Sequence, residues 1–83
     1  MRNMLTQRQL RVEHGDMKRR ERDVRAMIAN VRQWYDDGYN VSRELWDACK
    51  LRPEFLALPS KFLRFQALYT DAYAQHMPLG EDR

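Results

Sequence analysis

The chain has 83 residues and a mass of 10.1 kDa; 43% are hydrophobic, 33% are charged, and the formal net charge is +3. That length holds one domain at most and buries only about 60% of the surface of its unfolded form, so an independent fold is marginal. Three Gly and three Pro exclude a collagen-like or low-complexity chain, the apolar content excludes a plainly disordered one, no apolar run nears the roughly 20 residues that span a bilayer, and one Cys cannot staple the fold.

Positive charge is concentrated at the start. Residues 1–26 hold eight basic and four acidic side chains, and the remainder is close to balanced. Arg outnumbers Lys twelve to three, a bias that suits interfaces and phosphate but that a GC-rich genome also produces. Arg2, Arg8 and Arg11, with no acid among the first twelve residues and with Met4, Leu5 and Leu10 interspersed, echo a mitochondrial targeting helix. The stretch is poor in Ser, and an ordinary basic extension over residues 1–15 is the competing reading. It is too polar for a secretory signal, and with a single Cys an intracellular compartment is expected.

Residues 6–14 can form a short polar helix that Gly15 interrupts, with Asp16 capping the next one. The clearest helix spans 16–37. Val24, Met27, Ile28, Val31 and Tyr35 recur at helical spacing and make one apolar stripe, which Trp34 widens. Asp16 to Arg20 and Glu21 to Arg25 are i,i+4 pairs in the favourable order, and Lys18, Arg19, Arg20 and Arg22 should project into solvent or onto a partner. Asp37-Gly38-Tyr39-Asn40 reads as a turn, because Gly tolerates the left-handed conformation that ends helices.

Asn40 or Ser42 caps a second helix over 41–50, whose apolar positions are Val41, Leu45, Ala48 and Cys49, with Trp46 beside them. Residues 53–59, bounded by Pro53 and Pro59, amount to one helical turn at most. Ser60 is read as the cap of a last helix over 60–77, stopped by Pro78 and Gly80. It carries two apolar stripes. Phe62, Phe65, Tyr69 and Tyr73 form an aromatic one; Leu63, Ala67, Thr70, Ala74 and Met77 form a smaller one. A helix apolar on two faces is either central in its domain or sandwiched between that domain and a partner. The fold class is therefore all-α: a single domain over 1–83 with three or four helices, arranged as a small bundle or an extended helical hairpin. Val24, Ile28, Val31, Leu45 and Leu68 are the expected core.

Residues for catalysis do not converge. His14, His76 and Cys49 match no metal-ligand spacing, and no catalytic, metal or cofactor residue is assigned. His14-Gly15-Asp16 is as well explained by a turn. Cys49, on an apolar helix face, reads as a small buried side chain. Asp36 and Asp37 point about 100° apart on a helix and share no site. There is no Gly-rich phosphate loop or nucleophile elbow, so an enzyme is not expected.

Two function classes remain. A DNA-binding regulator would use residues 33–65 as a helix-turn-helix, but the segment in the recognition position is Pro-Glu-Phe-Leu-Ala-Leu-Pro, apolar apart from Glu54. Aromatic stacking on bases needs aromatics beside basic residues, whereas here they are separated along the chain. The favoured class is a non-catalytic accessory or structural subunit whose partners are other protein subunits. The acid-free, Arg-rich start inclines this toward a mitochondrial assembly such as the respiratory chain, ATP synthase or mitoribosome, and a small phage or bacterial inhibitor fits the same residues. Phe62, Phe65, Tyr69 and Tyr73 are expected to form the partner face, with Arg19, Arg22 and Arg25 as a second, electrostatic one. Phe65→Ala is then expected to weaken assembly more than Arg22→Ala.

Overall fold

The computed structural model describes residues 7–76, with side chains from residue 14 onward; residues 1–6 and the expected helix stop at Met77, Pro78 and Gly80 lie outside the described residues. Four α-helices form, α1 (Gln7–Asp36), α2 (Arg43–Ala48), α3 (Pro53–Leu56) and α4 (Pro59–His76), with no strand among the described residues. The fold is all-α, as the apolar periodicity and the Gly and Pro punctuation indicate.

The first helix is longer than its punctuation suggests. Gly15 does not interrupt it, and α1 runs unbroken from Gln7 through the position expected to cap a second helix. One helical Gly costs only about 1 kcal/mol relative to Ala, less than the cost of nucleating a new helix beside it. Asp16 therefore lies within α1 and pairs with Arg19, one residue short of the expected Arg20. Glu21 and Arg25 do pair, at 3.2 Å. Arg19 and Arg25 are exposed and only Glu21 is well covered, so both pairs stabilise little.

The end of α1 obeys the turn chemistry. Gly38 has φ +91°, its N–H donates to the Tyr35 carbonyl at 3.1 Å, and the Tyr39 N–H donates to the Trp34 carbonyl at 3.0 Å. These are the two hydrogen bonds of a Schellman closure. A Cβ on Gly38 would meet no atom within 4 Å, so only backbone conformation opposes a side chain there. Gly38→Ala is expected to cost about 1–2 kcal/mol, the penalty for an L-residue in the left-handed region. Urea denaturation checks this; an unchanged midpoint would mean that the turn relaxes to another closure.

Ser42 caps α2: its Oγ accepts from the Leu45 N–H at 3.2 Å. Pro53 opens the single turn of α3, where its missing N–H costs nothing. Pro59 does the same for α4. The first bond of that helix runs from the Phe62 N–H to the Leu58 carbonyl at 2.7 Å, so Leu58, not Ser60, holds the cap position and Ser60 sits inside the first turn.

The two long helices run in the same direction. Early in α1, Arg20 reaches Ala57 just before α4 begins; further on, Asn30 bonds Tyr69, and Trp34 meets Tyr73 and His76 at the end of α4. An extended hairpin would set them antiparallel. The bundle arises instead because α2 and α3 carry the chain back, with α2 antiparallel to α4: Asn40 and Ser42 lie toward Asp71 and Gln75, whereas Ala48 and Leu51 lie toward Lys61 and Arg64. The Cα extents are 53 × 30 × 17 Å, thick enough for two layers of helices and no more.

The core is Val24, Ile28 and Val31 of α1 against Leu45, Cys49, Leu56, Ala57, Phe65 and Ala72. Four of the five expected core residues are buried; Leu68 is half-buried against the same cluster. No polar or charged side chain is buried among the described residues.

Candidate docking surface

Phe62, Phe65, Tyr69 and Tyr73, the stripe expected to form a partner face, lie at different depths in the structure. Phe65 is 1% exposed and is the largest fully buried side chain, so it forms the core and not a partner surface. Phe62 and Tyr69 are half-buried against that core. Tyr69 stacks on Trp34 at 5.2 Å between centroids, and its hydroxyl accepts from Asn30 Nδ2 at 2.9 Å. Tyr73, 45% exposed, meets Trp34 edge-on at 6.1 Å. The physical reason is the indole of Trp34. Rings prefer ring neighbours, at about 0.5–1.5 kcal/mol per pair beyond area burial, so the aromatic stripe turns toward α1. The smaller stripe faces outward instead: Leu63 is 66% exposed, and Ala67, Thr70 and Ala74 are exposed beside it.

Of the basic residues, Arg19, Arg22 and Arg25 are exposed along one side of α1, with Arg19 held by Asp16 and Arg25 by Glu21. Arg20 leaves this group. It is half-buried and its Nε donates to the Ala57 carbonyl at 2.7 Å. From Arg22 to Trp34 is about 18 Å along α1 at 1.5 Å per residue, so the basic residues and the aromatic cluster occupy different parts of the molecule.

A groove lies on the α2–α3–α4 side. Its floor and ends are Ala48, Leu51, Phe55, Leu56, Phe65 and Leu68, and it encloses about 340 Å³. That is near the bottom of the roughly 300–1,000 Å³ range of small-molecule pockets; it suits a few side chains better than a whole ligand. Leu51 and Phe55 remain 46% and 41% exposed at its mouth, and Leu58 is exposed nearby. Charged residues rim it in order. Glu44 and Asp47 stand on the α2 wall, Lys61 and Arg64 on the α4 wall. Arg64 pairs with Glu44 between the walls, Asp47 meets Lys50 Nζ at 3.5 Å, and Lys61 Nζ lies 5.3 Å from the centre of the Phe55 ring.

Leu51, Phe55 and Leu58 were not singled out from sequence: Leu51 falls between two helices, and Phe55 and Leu58 fall in 53–59, read as one helical turn at most. A signal was present: Phe55, Leu56, Ala57 and Leu58 are four consecutive apolar residues running from the end of α3 to the cap of α4, and so tight a run cannot all face inward. Leu56 and Ala57 are buried; Phe55 and Leu58 are not.

Cys49 is buried, the state expected of a small apolar side chain. Burial pushes its thiol from the ordinary 9.0 up to about 11, and the Arg32 guanidinium, 3.4 Å from the Cys49 carbonyl oxygen, pulls it partly back. A raised pKa in the folded chain means that the unfolded chain loses this proton first. The associated stability is complete below about pH 9 and is lost as pH rises toward 11. Stability curves for the wild type and Cys49→Ala should therefore differ by a constant at neutral pH and converge between these values; a difference that stays constant to pH 11 would refute the burial effect. His14 is exposed and His76 half-buried, and no three His, Cys, Asp or Glu side chains among the described residues are placed to hold a metal ion.

No family model, curated protein or solved structure matches this chain.

Proposed function

We propose that the chain is a non-catalytic accessory subunit, a small helical domain that docks in a larger protein assembly through its α2–α3–α4 side. The observation that carries this reading is the groove. A domain with so small a core leaves Leu51 and Phe55 exposed at the mouth of an apolar cleft, where burying them against a partner gains about 25 cal/mol per Å² of apolar area removed from water. Apolar surface gathered in one place and rimmed by charge is the usual anatomy of a protein interface.

The DNA-binding reading draws less support. The helix in the recognition position, α3, is one turn long and offers Glu54 as its charged side chain, whereas base readout needs polar and basic groups presented from a helix seated in the major groove.

The test is a photo-crosslinking residue placed at position 51 of the full chain, in the cells that make it, with position 22 for comparison. The expected result is a dominant protein adduct from position 51. Nuclease-sensitive adducts from position 22, with none from position 51, would overturn the reading in favour of nucleic-acid binding.

A further inference from the structure

Resting on that docking reading, we infer that the groove takes an amphipathic α-helix of a partner protein, basic along one flank and acidic along the other, in a single direction. The groove is walled by two antiparallel helical segments and floored by Ala48, Leu56, Phe65 and Leu68. A third helix nests in such a channel by setting its own apolar ridge between the two walls. The wall from Lys61 to Leu68 spans about two helical turns at 1.5 Å per residue, so an i, i+3, i+4, i+7 set of apolar side chains fills it.

The rims select the flanks. The α2 wall presents Glu44 and Asp47, and the α4 wall presents Lys61 and Arg64. A helix with its apolar face down therefore needs basic residues over α2 and acidic residues over α4. Reversing the helix swaps its flanks, so opposite rim charges fix its direction. The Glu44–Arg64 and Asp47–Lys50 pairs are no obstacle. Both are exposed, such pairs stabilise little, and the incoming flanks replace them.

A second copy of the chain fits poorly. Its exposed helical stripe, Leu63, Ala67, Thr70 and Ala74, is bordered by Gln66 and Tyr73 on one side and by Arg64 and Asp71 on the other. Neither border is of one sign.

The test uses three synthetic helical peptides with the same Leu ridge and with Lys/Glu, Lys/Lys or Glu/Glu flanks, titrated by fluorescence anisotropy against the full chain. The Lys/Glu peptide should bind about tenfold tighter than either of the others, the effect of two matched exposed charges on each rim. The double variant Lys61→Glu/Arg64→Glu, with its fold checked by circular dichroism, should switch that preference to the Lys/Lys peptide. A spin label on the Lys/Glu peptide's N-terminus should broaden signals at one end of the groove only. Equal affinities, no binding to the folded chain, broadening at both ends, or self-association through the groove would each overturn the inference. If the peptides fail while crosslinking from position 51 still yields a protein adduct, the helical partner is wrong and the docking reading stands. If that adduct is also absent, the docking reading itself fails.

Discussion

Phe65→Ala is expected to bring the chain to the edge of unfolding at room temperature. The ring is the largest fully buried side chain and packs among Val24, Ile28, Val31 and Leu45. Removing a buried Phe side chain costs about 3–5 kcal/mol, through lost transfer energy and the cavity left behind. A domain of about 70 residues holds only about 4–10 kcal/mol in total. Each kcal/mol moves the melting temperature of so small a domain by about 4–8 °C, so thermal unfolding followed by circular dichroism should shift down by roughly 15–35 °C. Phe65→Leu, which keeps most of the volume, should lose much less. A shift below 5 °C for the Ala variant would restore Phe65 to an outward, partner-facing role. The comparison with Arg22→Ala thus changes meaning. Phe65→Ala weakens any assembly by weakening the fold, whereas Arg22 is exposed and its loss should change stability by no more than about 0.5 kcal/mol.

Arg20→Ala is expected to have the next largest effect. The Arg20 Nε donates to the carbonyl of Ala57 at 2.7 Å, and Ala57 is fully buried where the single turn of α3 ends. A helix end leaves carbonyls without intrahelical partners, and this one is satisfied across 37 residues of sequence by a guanidinium from α1. A hydrogen bond to a charged group contributes about 1.5–3 kcal/mol, and a buried carbonyl left unpaired keeps most of that cost. Arg20→Met, which retains the apolar stem beside Met17, should therefore recover little. Urea denaturation measures the loss, and amide hydrogen exchange locates it: Leu56, Ala57 and Leu58 should exchange faster before the rest of the molecule does. A loss below 0.5 kcal/mol would mean that water replaces the guanidinium at no cost, and uniform acceleration would mean that the bond supports the whole fold and not this turn in particular.

The two residues mark where legibility ended. Arg20 is one of four basic residues among five positions, Lys18, Arg19, Arg20 and Arg22. Nothing local separates it from its neighbours, because its partner is a backbone atom 37 residues away and every residue type carries a carbonyl. Phe65 was legible as apolar and helical, but not by direction. A helix with two apolar stripes has two candidate inward faces, and α4 was settled by Trp34 of α1, around which Tyr69, Tyr73 and His76 gather. The groove was least legible. It is built from Leu51 and Phe55, which sit between the segments with clear periodicity, and from rims that face each other only because α2 returns antiparallel to α4.

What the amino-acid order determined by itself is local. It specified an all-α chain, the apolar stripe of α1, the closure at Gly38, the Ser42 cap and the Pro53 start of α3, since each depends on residues within one or two turns of one another. Even there, Gly15 and Ser60 misled, because helix cooperativity and the Pro59 start outweighed a weaker local preference. The tertiary structure alone decided that the long helices run parallel, that the aromatic stripe turns toward α1 with Phe65 in the core, that Arg20 is a structural residue, and that acidic and basic rims oppose each other across an apolar groove. Those outcomes depend on which surfaces meet, and burial is non-directional: it rewards apolar area removed from water without naming the partner. Only the assembled packing selects one pairing among those the stripes allow.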